Sequence, residues 1–308
     1  LTQFVEIREK ARILQVMEVL QTRKTFTAQE EHYLRQLTKG FEGEITFDNW
    51  IEKHMAKGVH LKDLTFKVNG TTFQVDSLLI TNERIIMYEV KNYEGEYILK
   101  GNKLLKYDTE VEILNPTVQL ERSSILLRQL LSQRKISYSI EAFVVYIHPN
   151  FTLYTSTVDR SILLLSLMNK HASKIQSLPC ENNARAKDAA LVKLLTEHSK
   201  ENDPNHYQTF PLYYYTDLLK GVYCSSCRQL SIQQKYKKCV CQLCQKSQCV
   251  YDSISQLVRE YCILFPEQKL TVNSIHDWAK KKVSPYSIRQ FLKKNYAEHG
   301  SKRDRYYS

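Results

Sequence analysis

An aspartate, Asp76, and the triplet Glu89-Val90-Lys91 stand inside "VDSLLITNERIIMYEVKNYEG", residues 75–95, which otherwise reads as two apolar strands joined by a tight turn. A charged side chain that leaves water unpaired costs several kcal/mol, so a compensating group is expected. With Asn82-Glu83 as a two-residue loop, Thr81 pairs with Arg84, and the same ladder sets Asp76 opposite Glu89. Directly opposed side chains of an antiparallel pair have Cβ atoms about 4.5–5.5 Å apart. Two carboxylates that close repel, unless a cation lies between them or one holds a proton. Lys91, two residues beyond Glu89, projects from the same face. Mg2+ is a hard cation that takes such carboxylates together with water and phosphate oxygens, and Mn2+ would serve similarly. Such an ion polarises a phosphodiester and supplies hydroxide, while a nearby lysine stabilises the attacking or departing oxygen. The plainer alternative is an edge hairpin with a Glu89–Lys91 salt bridge and an exposed Asp76, since a D…E-x-K pattern is short and frequent.

A second set of residues suits a softer metal. Cys224-Ser225-Ser226-Cys227 and Cys241-Gln242-Leu243-Cys244 are two C-x-x-C turns thirteen residues apart, the arrangement by which small ribbons present four thiolates to Zn2+. Cys239 offers an alternative to Cys241, pairing with Cys244 in a C-x-x-x-x-C spacing. Cys180, Cys249 and Cys262 read as spare or buried thiols. Clustered cysteines of this kind point to metal binding in a reducing compartment rather than to disulfides. No apolar run approaches the ~20 residues of a membrane span. The opening "LTQFVEIREKARILQVMEVL" has helical periodicity broken by charges, so it reads as a helix and not a signal peptide. A cytoplasmic protein is expected.

The elements that must hold these residues can be read coarsely. Residues 5–22 read as an amphipathic helix, and a second helix runs from Thr27 towards Met55, interrupted at Gly40 and Gly43. Three strands follow in "HLKDLTFKVNG", "TTFQVDSLLIT" and "RIIMYEVKNY". Asn115-Pro116 opens the helix "TVQLERSSILLRQLLSQR", and "EAFVVYIHP" reads as a further buried strand. Strands and helices alternate, as in an α/β layer domain. The chain lacks G-x-x-x-x-G-K-[ST] and G-x-G-x-x-G, which disfavours a nucleotide or dinucleotide site.

In order along the chain, "KGFEGE", "DSLLIT", "EVKNYEG" and "NPTVQLERS" resemble the NERD (nuclease-related) domain, a branch of the PD-(D/E)XK phosphodiesterase superfamily. The resemblance covers about residues 30–150 and implies a mixed sheet flanked by helices. It also implies that Asp76 and Glu89 are metal ligands, Lys91 the catalytic lysine, Glu44 the further acid and Gln119 a helix glutamine near the metal and phosphate. Val75 stands where the superfamily motif has proline. Arg122 shares a helical face with Gln119 and is a candidate phosphate contact.

Lys+Arg 44 against Asp+Glu 33 leaves an excess of +11, suited to a polyanionic partner. Residues 271–308 hold nine Lys/Arg against three Asp/Glu. The tail reads as three short helices and a basic, aromatic end, similar to a winged helix-turn-helix, with Ser284 as cap and Pro285 at the first position of the third helix. Tyr286, Arg289, Gln290 and Lys293 would face a major groove, and Arg303 would lie in the wing. The expected organisation is an N-terminal helix (1–24), a NERD nuclease-like α/β domain (25–190), a connector (191–219), a zinc ribbon (220–250) and a winged-helix-like tail (251–308). The expected function is Mg2+- or Mn2+-dependent hydrolysis of DNA, with Zn2+ as structural ion, DNA as partner, and a helicase or other DNA-processing protein as a compatible one. The alternative is a catalytically inactive nucleic-acid-binding protein whose core serves as a scaffold.

Overall fold

The computed structural model describes residues 3–4, 7–55, 58–177, 184–202, 205, 208–301 and 304–308. The chain divides into two units, residues 1–10 with 36–207 and residues 11–35 with 208–308.

Turn chemistry frames the sheet of the first unit. It contains β1 (Gln3–Phe4), α2 (Ala28–His54) from residue 36 onward, β2 (Val59–Val68), β3 (Thr71–Thr81) and β4 (Arg84–Lys91). Asn69-Gly70 and Asn82-Glu83 both take left-handed conformations, with φ of 49° and 78°, then 52° and 57°. Paired positive φ values twist a two-residue loop to match its strands, so β2, β3 and β4 meander antiparallel. The Thr81–Arg84 and Ser77–Tyr88 pairs fix the expected register. Next come β5 (Gly95–Lys100), β6 (Lys103–Lys106), β7 (Glu112–Ile113), α3 (Pro116–Gln133), β8 (Ser139–Tyr146), β9 (Phe151–Thr155), β10 (Ile162–Leu164), α4 (Met168–Gln176) and α5 (Ala184–Lys200). Strand β8 adds parallel to β4, giving a six-stranded mixed sheet in the order β1-β2-β3-β4-β8-β10. One face packs Leu78, Ile85 and Met87 against Leu127 and Leu131 of α3 and Leu195 of α5. The other packs Leu79, Ile86 and Tyr88 against Phe47 and Ile51 of α2 and Met168 of α4. The α/β fold class with a mixed, helix-flanked sheet therefore holds. A second sheet, β7-β6-β5-β9, leaves β4 through residues 92–94 and was not foreseen.

Several boundaries differ from those read in the sequence. Helix α2 is unbroken across both glycines. Gly43 is where the helix meets the chain just after β4: a Cβ there would lie 2.5 Å from Asn92 Cβ, whereas one at Gly40 meets nothing within 4 Å. Gly43→Ala is therefore expected to cost about 1–3 kcal/mol by overpacking, and Gly40→Ala to gain up to about 1 kcal/mol of helix propensity. Chemical denaturation of the two variants checks this; equal stabilities would show that the contact does not constrain α2. The first part of the expected connector is helical, since α5 runs to Lys200 and packs Leu191 and Leu195 into the core of the main sheet.

The second unit contains α1 (Arg12–Arg23), β11 (Ile232–Lys235), β12 (Lys238–Cys241), β13 (Ser247–Cys249), α6 (Val250–Leu264), α7 (Val272–Trp278), α8 (Pro285–Asn295), β14 (Glu298–His299) and β15 (Tyr306–Tyr307). The amphipathic helix thus begins at Arg12, not residue 5. Val16 and Leu20 of α1, Ile232 and Cys239 of the three-stranded β11-β12-β13 sheet, and Ile254, Trp278, Ile288 and Leu292 of the helices form one core. N-terminal helix, cysteine module and tail are accordingly one packed unit. Arg23 lies fully buried at its centre. It donates to the Glu260 carboxylate, to Gly221 O at 2.8 Å and to Leu219 O at 3.1 Å, and stacks 4.4 Å from the Trp278 ring. Leu270 bridges Tyr307, and β14, which follows α8, pairs with β15. Among the described residues, no helix is long and apolar enough to cross a membrane.

Candidate functional site

The β3–β4 ladder ends at the acids. Alternate residues of a strand share a face, so Asp76 lies with Leu78 and Ile80, and Glu89 with Ile85 and Met87, on the side covered by α3. Asp76 Oδ2 accepts the Val90 N–H at 2.9 Å, which fixes the carboxylate at the mouth of the hairpin. Glu89 is 2% exposed, and its Oε1 accepts from Lys91 Nζ at 2.6 Å. Asp76 and Lys91 are half-buried, so the group opens to solvent on one side.

Glu44 comes from α2, placed by the Gly43 contact and by Asn92 Nδ2 donating to Lys39 O at 2.8 Å. Between these groups lies Arg8, 6% exposed. Its Nη1 is 3.0 Å from Glu44 Oε2, its Nε and Nη2 reach the two Asp48 oxygens at 2.9 and 3.1 Å, and Nη2 also donates to Asp76 O at 2.7 Å. Asp48 stands one turn beyond Glu44 and 3.8 Å from His60, whose Nε2 is 2.6 Å from Ser77 Oγ. Arg8, Asp48, His60 and Asn92 were missed in the sequence. Asp48 is readable after the fact from its i+4 spacing to Glu44. Arg8 carries no local signal, because its partners lie 36 and 40 residues away.

The electrostatics are those of crowded acids. Burial, then the Asp76 charge, pushes Glu44 up to about 8 against the pull of Arg8. Burial and Asp76 likewise push Glu89 up to about 7 against Lys91. Burial raises the Asp76 carboxyl against Lys91 and the Val90 N–H. Lys91 is lowered by burial, but the Glu89 and Asp76 charges outweigh that and hold its ammonium well above the usual range. The arrangement keeps a cationic lysine beside carboxylates that share too little positive charge. An all-oxygen donor set in that condition fits a hard divalent cation. Gln119 is half-buried in the first turn of α3, after the Asn115 cap and Pro116. No hydrogen bond joins it to the acids among the described residues, and Arg122 is exposed on the same helix. Nor do Glu44, Asp76 and Glu89 close to a common ligand distance.

The cysteines do. Cys224 Sγ lies 3.7 Å from Cys244 Sγ, and Cys227 Sγ 3.5 Å from Cys241 Sγ, with all four sulfurs within 4.8 Å of one another. Tetrahedral Zn–S bonds of about 2.3 Å set sulfurs about 3.8 Å apart, so this cluster has the geometry to bind zinc. Each turn closes alike: Arg228 N–H donates to Cys224 O and Gln245 N–H to Cys241 O, both residues in left-handed conformations. The Cys244 N–H and the Ser231 hydroxyl hold the Cys241 thiol down to about 6, favouring the thiolate a metal needs. Cys239 is buried in the core outside this cluster, which contains Cys241. Cys249 and Cys262 are exposed, and Cys180 lies outside the described residues.

On α8, Tyr286, Arg289, Gln290 and Lys293 are all exposed, at the i, i+3, i+4, i+7 spacing of one helical face. Lys293 Nζ is 3.6 Å from Glu298 Oε2. Arg303 lies outside the described residues.

Comparison with family models matches residues 39–147 to NERD, the nuclease-related domain. The matched segment includes Glu44, Asp76, Glu89, Lys91, Gln119 and Arg122, and it ends before the second unit resumes. No curated protein and no solved structure matches the chain.

Proposed function

We propose, from the nuclease-related domain at residues 39–147, that the protein is a divalent-metal-dependent phosphodiesterase acting on DNA, which its second unit grips. The observation that carries this reading is the end of the β3–β4 ladder, where Asp76, Glu89 and Lys91 converge beside Glu44 under strong mutual repulsion. Asp76 and Glu89 would hold Mg2+ or Mn2+, with Glu44 as the further acid. When bound, the ion supplies a polarised phosphodiester and a water of lowered pKa. The remaining work belongs to the chain. Val90 N–H orients Asp76, Glu89 anchors the Lys91 ammonium, and Lys91 presents fixed positive charge to the oxygen that attacks or departs. Gln119 and Arg122 on α3 would meet the phosphate. In the second unit, α6, α7, α8 and the β14–β15 hairpin follow one another as in a winged helix-turn-helix, with α8 as the groove-reading element.

Arg8 favours a second reading, because its guanidinium already binds Glu44, Asp48 and the Asp76 carbonyl from within. In that case the acid cluster is a structural ion network and the core a scaffold. Incubating the purified protein with plasmid and linear DNA in Mg2+, Mn2+ or EDTA separates the two. Cleavage in Mg2+ or Mn2+ and none in EDTA is expected; intact DNA in every lane would leave the scaffold.

A further inference from the structure

The β11–β12 hairpin of the cysteine module does more than enclose a metal. Its tip, Lys235-Tyr236-Lys237-Lys238, is wholly exposed, and Tyr236 is 97% exposed. Two features of this tip oppose folding. Lys235 and Lys238 stand directly across the two strands, where like charges are unfavourable. Tyr236 holds φ at 54°, a left-handed conformation that bulky residues avoid. No packing is gained in return, since neither the ring nor the lysines enter the core.

The tip is not free to swing. Gln234 ties it to the turn before α8. Its backbone N–H donates to Lys282 O at 2.9 Å, and its Oε1 accepts from Ser284 N–H at 2.8 Å. Its Nε2 donates to Ser287 Oγ at 3.0 Å and to Tyr236 O at 2.8 Å. One amide thus joins the hairpin to the cap of α8. The turn itself exposes Lys280, Lys281 and Lys282, and Tyr286 follows, 72% exposed. Neither residues 221–251 nor residues 278–297 contain an aspartate or glutamate. No carboxylate pairs with Lys235, Lys237 or Lys238 among the described residues.

We infer that the hairpin tip is a second nucleic-acid contact, a phosphate clamp for duplex DNA held by Gln234 at a fixed offset from the exposed face of α8. The occupant follows from charge. Two neighbouring lysine triplets without acids suit a continuous line of phosphates, and an exposed tyrosine beside them adds contact to the sugar–phosphate edge. The inference rests on the second unit binding DNA, but not on catalysis.

The test measures full-length, zinc-loaded protein with a fluorescent DNA duplex, without added Mg2+, across a salt series. The variant Lys235→Gln, Lys237→Gln, Lys238→Gln is compared with Arg289→Ala, Lys293→Ala on α8. Each phosphate contact contributes about 0.9 to the salt slope on B-DNA, so the hairpin variant should lower the slope by about 2–3 and weaken binding at least about tenfold. Its zinc content should match the parent, and its melting temperature should equal or exceed the parent's, because the opposed charges are gone. Tyr236→Gly should raise the melting temperature by relieving the left-handed strain, and still weaken binding. An α8 variant that loses affinity beside a hairpin variant that keeps both affinity and slope overturns the clamp alone. A parent protein that binds no duplex overturns the clamp together with the DNA-binding reading.

Discussion

Cys227→Ser protein should lose the zinc that the parent is expected to carry at about one ion per chain, as four-thiolate closure implies, and the loss should reach beyond the cysteines. Removing one ligand leaves three thiol groups, of which Cys224 and Cys241 are buried, around a space they were shaped to share. In isolated zinc modules the metal supplies about 10–16 kcal/mol of apparent folding energy, and the apo form unfolds. Here Cys224, Cys239 and Cys241 share a core with Ile254, Trp278 and Ile288, so the helices retain apolar support. The expected result is a lowered melting temperature for the second unit with helical signal largely kept. The β11–β12 hairpin loosens most, since Cys241 ends β12. Because Gln234 couples that hairpin to the start of α8, affinity for DNA should fall as well. Cys249→Ser, altering an exposed thiol outside the cluster, should keep both zinc and stability. Metal analysis with thermal melting checks all of this. Folded parent protein without zinc, or Cys227→Ser protein that retains it, would remove the metal from the account.

Local chemistry was legible in the sequence, and distant convergence was not. The Asn82-Glu83 loop announced a register that the structure keeps, because a two-residue turn determines every pair that follows it. Asn115-Pro116 announced the start of α3, which the Asn115 side chain caps by accepting the Thr117 N–H. The C-x-x-C spacing announced a cluster because each turn positions two sulfurs by itself. By contrast, nothing near Arg8 marks it, as its partners come from α2 and from the backbone of β3. That same capture draws residues 7–10 away from helix, so periodicity over 5–22 misled at its first half. The glycines misled in part. Both suggest a break, but α2 runs on, and only Gly43 marks a close approach. Arg23 stands three residues after Leu20 and seven after Val16, on the buried side of α1, where a charge is not expected. A buried carboxylate, two carbonyls and an indole from residues 219–278 make its burial tolerable.

Lys91→Ala and Asp76→Asn should both abolish most cleavage, for different reasons that can be told apart. Lys91→Ala removes a fixed positive charge from the reacting oxygens, an effect of about 10²–10³ in rate for one such electrostatic donor. It also strips Glu89 of the ammonium 2.6 Å away, so the residual acids repel more strongly and the metal-free protein should melt lower. Asp76→Asn removes a proposed metal ligand while keeping shape, and it takes away the charge that adds to burial in raising both Glu44 and Glu89. The two glutamates titrate near 8 and 7 in the folded protein against an ordinary value of 4.5. Between about pH 4.5 and pH 8 the folded state therefore holds protons that the unfolded state has released. Stability of the metal-free parent must then fall as pH rises through that window. A divalent ion favours the ionised carboxylates, so the melting-temperature gain from Mg2+ should be larger at pH 8 than at pH 5.5. Asp76→Asn should flatten the decline with pH, melt higher than the metal-free parent at pH 8, and lose most of the Mg2+ gain. A Glu89–Lys91 salt bridge without a metal predicts no response to Mg2+ at either pH, in parent or variant. Melting curves of parent and variant at the two pH values, with and without Mg2+, decide between these, and they do so independently of any choice of substrate.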